Sequence, residues 1–239
     1  GKGIAIAWKA PAMPPNAGSS AWVELSEDGK ATVGLGGQEI GQGTFTVMAQ
    51  IAAETLGVKY EDVRIAGPVD TQYSPYEWQT VASRLTWSMG NAVRLAALDA
   101  RKQILDVVAE AWNETPEDLD IVNGMVVSYK SEQETPLANL VIYGLPKPND
   151  EGWMGGPIVG RGSFMPKYVT NLDAETGQGA RAVVHYTVGC EGLDIEIEKN
   201  TGRIHVIKAA ASFDVGKAIN PALVKAQVEG GFVQGLSSA

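Results

Sequence analysis

Apolar residues recur at every second position over residues 3–8, 21–25 and 31–35, and that spacing predicts three strands. Glu27-Asp28-Gly29-Lys30 supplies the turn between the second and third strands. The period then changes. Over residues 44–56 the side chains of Phe45, Met48, Ile51, Ala52 and Leu56 fall near one helical face, and Gly57 stands where a helix ends. A short strand is predicted over residues 62–66, followed by an irregular stretch rich in Pro, Gly and Tyr over residues 67–76. The next helix starts between Ala82 and Ser88 and ends at Trp112. Its apolar stripe is Val93, Ala97, Ile104, Val108 and Ala111. Thr115-Pro116-Glu117-Asp118 has the composition of a helix start, with a capping hydroxyl, a proline in the first turn and an acid at the third position.

Residues 132–167 carry Pro136, Pro146, Pro148, Pro157 and Pro166 with several glycines, and read as an insertion or surface loop. Strand patterning returns over residues 182–189, 193–198 and 203–213. Asp194, Glu196 and Glu198 alternate with Leu193, Ile195 and Ile197, so the acids share one face. That face is either the solvated side of a hairpin or a carboxylate pair for hydrolysis by Asp194 and Glu196; the solvated side is the simpler reading. A final helix spans residues 222–238, with Asn220-Pro221 as N-cap and first residue. Gly230, Gly231 and Gly235 each weaken it by about 1 kcal/mol relative to alanine. Close approach of a backbone, a cofactor or another helix is expected to compensate.

Charge narrows the partners. A net charge of -9 without a Lys/Arg cluster argues against nucleic acid and anionic membranes. No run approaches the roughly 18–20 apolar residues of a membrane span, and no basic-then-apolar leader opens the sequence, so a cytoplasmic location is expected. Cys190 is the sole cysteine and cannot hold an iron–sulfur cluster. His185 and His205 lie in strand-like segments outside any zinc spacing, and a metal is therefore expected to arrive on an organic cofactor.

The chemistry concentrates in Gly36-Gly37-Gln38-Glu39-Ile40-Gly41-Gln42-Gly43, directly before the first helix. Backbone amides at a helix N-terminus suit an anion, and the glutamines offer donors and acceptors to a ligand with an edge to be read. The segment lacks the Lys-Ser/Thr of a Walker loop, and its glycine spacing fails the Rossmann pattern. The same glycines also suit a turn that merely relieves backbone strain.

Four blocks together resemble the molybdenum-cofactor-binding subunit of the xanthine dehydrogenase and aldehyde oxidase family of molybdenum hydroxylases. They are the glycine turn with Gln50-Ile51-Ala52-Ala53-Glu54, the segment Asp70-Thr71 to Pro75, Ala82-Ser83-Arg84 with Gly90-Asn91-Ala92, and residues 214–235. The resemblance implies an α+β fold of mixed β-sheets with packed helices, of the second molybdenum-binding domain type. The whole of residues 1–239 would then be a fragment of the molybdopterin-binding domain.

It also implies roles. Gln38, Glu39, Ile40, Gly41, Gln42 and Gly43 would approach the molybdopterin, with Gln42 near the metal. Ala82, Ser83 and Arg84 would border the cofactor, and Gln227 would hydrogen-bond it. The pterin dithiolene would hold the molybdenum, with no direct protein ligand, and the cofactor would be extended to a cytosine dinucleotide in many bacterial members. The full protein would hydroxylate an aldehyde, purine or N-heterocycle with water-derived oxygen. Electrons would pass to 2Fe-2S and FAD groups on partner domains or subunits. The family's base glutamate, in its Gly-x-Gly-Glu-Pro-like context, has no counterpart in this sequence, so the fragment alone is expected to be inactive. The alternative is a non-catalytic module for cofactor binding or assembly.

Overall fold

The structure, a computed structural model, describes residues 1–11, 14–148 and 152–239. The chain divides into two compact units, Pro15–Lys167 and the pairing of Gly1–Pro14 with Tyr168–Ala239.

In the unit Pro15–Lys167, alternation of burial builds the central sheet. Within β2 (Ser19–Leu25), Ala21, Val23 and Leu25 are buried, and they pair with Leu35, Val33 and Ala31 of the antiparallel β3 (Ala31–Leu35). Because cross-strand neighbours point the same way, these six side chains form one apolar face. β4 (Val63–Ile65) runs parallel to β3, and the chain between them folds as helix α1 (Thr44–Leu56). The helix coincides with the predicted span and ends on Gly57, whose left-handed φ of 87° closes it. Its buried stripe is Met48, Ala52 and Leu56 with Val47, Ala49 and Ala53, while Phe45 and Ile51 are only half-buried. Burying a side chain such as Met48 or Leu56 contributes about 1.5–3 kcal/mol.

Helix α2 (Leu85–Trp112) packs on the sheet and on α1. At Gly90 a side chain would meet Ile51 of α1 at 3.0 Å. The predicted stripe is largely buried, at Val93, Ala97, Ile104 and Val108, and it is joined by Ala92, Ala96 and Ala100. Thr115 begins no α-helix. Pro116–Asp118 is a single 3₁₀ turn, where the Thr115 amide and hydroxyl both donate to the Asp118 carboxylate. A small antiparallel sheet follows, of β5 (Leu119–Val122), β6 (Met125–Ser128) and β7 (Glu134–Pro136).

The expected surface loop at 132–167 instead holds β7, helix α3 (Leu137–Ile142), a short pair of β8 (Leu145–Pro146) with β9 (Trp153–Met154), and β10 (Val159–Phe164). β10 is the edge strand beside β2, completing the order β10-β2-β3-β4. Its glycines explain both its place and its disguise. A side-chain carbon on Gly160 would lie 2.1 Å from the Ala96 carbonyl oxygen, and one on Gly162 would lie 2.1 Å from that of Ala92. The strand backbone therefore rests directly on the alanine ridge of α2, and only glycine fits between them.

The other unit is a three-stranded antiparallel sheet, with β11 (Thr187–Ile197) between β1 (Lys2–Lys9) and β12 (Ile204–Asp214). The separate strands expected over 182–189 and 193–198 are one, with a register irregularity at Asp194/Ile195. Helix α4 (Pro221–Ser238) starts as expected, its Asn220 side chain accepting from the Leu223 amide at 3.1 Å. A groove of about 520 Å³ lies between α4 and β12, lined by Ala210, Phe213, Val228 and Phe232. No described protein atom supplies the close approach expected at the α4 glycines. A side-chain carbon on Gly230, Gly231 or Gly235 would meet no described atom within 4 Å. No helix of the described residues is long and apolar enough to cross a membrane.

Candidate functional site

The glycine turn leads from β3 into α1, and its shape is set by two of its own side chains. Glu39 accepts hydrogen bonds from the Gly41 and Gly43 amides through Oε1, both at 2.9 Å, and from the Phe45 amide through Oε2 at 3.0 Å. Partial burial pushes this carboxyl up, but the amides of Phe45, Gly43, Gly41 and Gln42 outweigh it and hold its pKa below the ordinary glutamate value. Glu39 is therefore a charged carboxylate throughout the neutral range.

Gln42 closes the remaining bonds. Its Oε1 accepts from the Ile40 amide at 2.7 Å, and its Nε2 donates to the Gln38 carbonyl at 2.9 Å and to Thr44 Oγ1 at 2.7 Å. With the backbone tied inward, Ile40 is forced to the tip and is 77% exposed. Gly41 and Gly43 take φ values of 101° and 83°, which side chains with a Cβ rarely adopt. This corrects the expectation of free amides awaiting an anion, because the chain's own carboxylate holds that position.

Beside the turn lies the segment that leads into Ala82-Ser83-Arg84. The Gln38 amide donates to Thr80 Oγ1 at 2.8 Å, which ties the glycine turn to the segment entering α2. Ala82 and Ser83 both adopt the left-handed region, at φ 57° and 56°. Two such residues in succession cost on the order of 1 kcal/mol or more each. Ala82 is half-buried and Ser83 exposed, so this strained turn is presented at the surface.

Arg84, immediately behind it, anchors it from inside. Its side chain is 0% exposed and forms an ion pair with Glu77, itself 3% exposed. The guanidinium also donates to the carbonyls of Gln79 at 2.8 Å and Ala17 at 2.6 Å, and lies 5.6 Å from the centre of the Trp78 ring. The donors of Arg84 are thus directed into the protein, not toward a ligand. Arg84 Nε and Glu77 Oε2 have no hydrogen-bond partner among the described residues. Glu77 and Thr80 were not among the predicted site residues; they follow the irregular stretch at 67–76, which carries no periodicity to mark them.

The structure brings Gln38–Gly43 and Ala82–Arg84 together in one unit. Gln227 lies exposed on α4 of the other. The acid pair considered for hydrolysis forms no such site, because Asp194 pairs with Lys2 at 3.6 Å and Glu196 stands opposite His205 across the hairpin. Among the described residues, no group of three His, Cys, Asp or Glu side chains is arranged to hold a metal ion.

A glycine turn closed by its own carboxylate thus lies beside a left-handed turn at the start of a long helix, within one α+β unit. The family follows from comparison. The chain belongs to the molybdopterin cofactor-binding domain family, whose model matches residues 1–239. It is 29% identical to the 6-hydroxypseudooxynicotine dehydrogenase complex subunit gamma of Paenarthrobacter nicotinovorans over 91% of this chain and 25% of that protein. It is 28% identical to the putative xanthine dehydrogenase molybdenum-binding subunit XdhA of Escherichia coli over 90% of this chain and 26% of that protein. Among solved structures, the aldehyde oxidoreductase of Desulfovibrio desulfuricans aligns with a TM-score of 0.72 and 25% identity, over all of this chain and 22% of that one. The chain thus spans about a quarter of the length of the curated relatives it matches.

Proposed function

We propose that this chain is the molybdopterin-contacting part of a molybdenum hydroxylase that oxidises an aldehyde, a purine or another N-heterocycle with oxygen derived from water. The observation that carries the reading is the hydrogen bond from the Gln38 amide to Thr80 Oγ1, which ties the glycine turn to the segment that runs into Ala82-Ser83-Arg84.

The residues fit a pterin better than they fit a phosphate. Gln38 and Ser83 are exposed and uncharged, Gly41 has open space where a side chain would stand, and the Gly41, Gly43 and Phe45 amides are taken by Glu39. In this reading Gln38, Ile40, Gly41, Gln42, Gly43, Ala82, Ser83 and Gln227 are the contact residues. Glu39 and Arg84 hold the two turns in shape. When bound, the cofactor supplies the redox metal; the chain's residues orient it and keep water from its edge. The cytosine dinucleotide form, the 2Fe-2S and FAD groups on partner domains or subunits, and the inactivity of the isolated chain complete the proposal. The coverage of only a quarter of each relative supports it, since a full-length protein of that size has room for a base and a substrate pocket elsewhere.

Elemental analysis of the full-length protein from its native host, with nucleotide release after acid treatment, tests the reading. Stoichiometric molybdenum with a cytidine nucleotide is expected. Folded protein from a cofactor-competent host containing neither would contradict it.

A further inference from the structure

We propose that Glu39 is a positioning residue: its carboxylate permanently fills the N-terminal anion position of α1, so the loop is fixed before a ligand arrives and a cofactor phosphate is received elsewhere. What this says of the cofactor rests on the function proposed above, whereas the closure of the helix end does not.

Three observations carry the inference. First, α1 begins on Gly43, which has no side chain to cap it, and its first turn contains no acid. Glu39, four residues upstream, supplies the missing acceptor with both oxygens, reaching the Gly41, Gly43 and Phe45 amides. Second, the Ile40 amide is taken by Gln42 Oε1, so the turn has little N–H left to offer a phosphate. Third, Gln42 Nε2 is bonded at both the Gln38 carbonyl and Thr44 Oγ1, across the same turn that Glu39 closes.

An incoming phosphate has to displace a tethered anion. A carboxylate on the same short loop acts at an effective concentration of order millimolar or more, and it has already met its ordering cost. Glycine-rich sequence before a helix ordinarily signals phosphate. Here the glycines let a side chain of the protein itself reach those amides.

Hydrogen-exchange mass spectrometry on the full-length protein tests this, read on peptides covering residues 38–47, for wild type, Glu39→Ala and Glu39→Gln, with and without saturating inorganic phosphate. Exchange in these peptides is expected to rise about five- to tenfold in Glu39→Ala and by less in Glu39→Gln, which keeps one acceptor oxygen. Phosphate should restore protection in Glu39→Ala and leave the wild type unchanged. Peptides from β3 and α2 report whether each variant is folded, and the isosteric Glu39→Gln carries the comparison if the alanine variant is not. Protection of the wild type by phosphate, unchanged exchange in the variants, or failure of phosphate to restore them would each overturn the proposal. Molybdenum content measured on the same samples keeps a failure of the cofactor reading separate from a failure of this one.

Discussion

Arg84 shows how little a residue's type says about its task. A sequence motif places an arginine at a cofactor border, and chemistry suggests that it meets an anion there. In the fold its charge meets Glu77 instead, inside the protein, and it donates further to the Gln79 and Ala17 carbonyls. Such a pair adds little net stability relative to apolar residues, but losing one member leaves a buried charge alone. Glu77→Gln should therefore destabilise the unit Pro15–Lys167 by about 3–5 kcal/mol, while the double change Glu77→Leu with Arg84→Met should recover most of that loss. Denaturant melts of the two variants against wild type check this. Equal losses in both would mean that the pair matters through its shape, not its charge. The left-handed backbone at Ala82 and Ser83 depends on the same anchor, so the single change is also expected to loosen the turn proposed to face the cofactor.

At the scale of elements, legibility followed the strength of the local signal. Helix α1 was readable to the residue because a glycine turn before it, a glycine after it and a period near 3.6 all agree. α2 was readable from its apolar stripe, with its start left between Ala82 and Ser88, and α4 from the Asn220-Pro221 pair that opens it. β10 was hidden, because Val159-Gly160-Arg161-Gly162-Ser163-Phe164 alternates glycine where a strand normally alternates apolar side chains. Its apolar partners are the alanines of α2, about 60 residues earlier, and sequence periodicity cannot report a surface supplied by another element. Gly162→Val tests that account. It places a branched side chain against the Ala92 carbonyl and should cost about 1–3 kcal/mol, more than a strand-favouring residue returns. A variant as stable as wild type would show that β10 can lift from α2 freely. In the candidate site, the glycine turn and the Ala82-Ser83-Arg84 block stood out in the sequence, but the direction of their hydrogen bonds did not. Whether Glu39 faces a ligand or its own helix is decided by a turn only a few residues long, which propensity does not resolve.

The whole molecule carries the mark of a part. In β1, Ile4, Ile6 and Trp8 point to one face and are 80%, 78% and 69% exposed, and they stand opposite Gly192, Cys190 and Val188 of β11. Contiguous apolar surface of this kind is uncommon on a self-sufficient monomer. It accords with a chain that covers about a quarter of the curated relatives it matches. The proposed chemistry is thus divided across scales. Glu39 and Arg84 set the turns, β3, α1 and α2 hold those turns side by side, and the remaining polypeptide of a full-length protein would supply base, pocket and electron path. The measurement that bears most directly on this account is the position of the metal. Crystals of the full-length protein, with diffraction data collected at the molybdenum absorption edge, would locate it without assumption. The account predicts an anomalous peak beside the Gln38–Gly43 turn, with the Glu39 carboxylate still bonded to the amides of α1; a peak remote from that turn would contradict it.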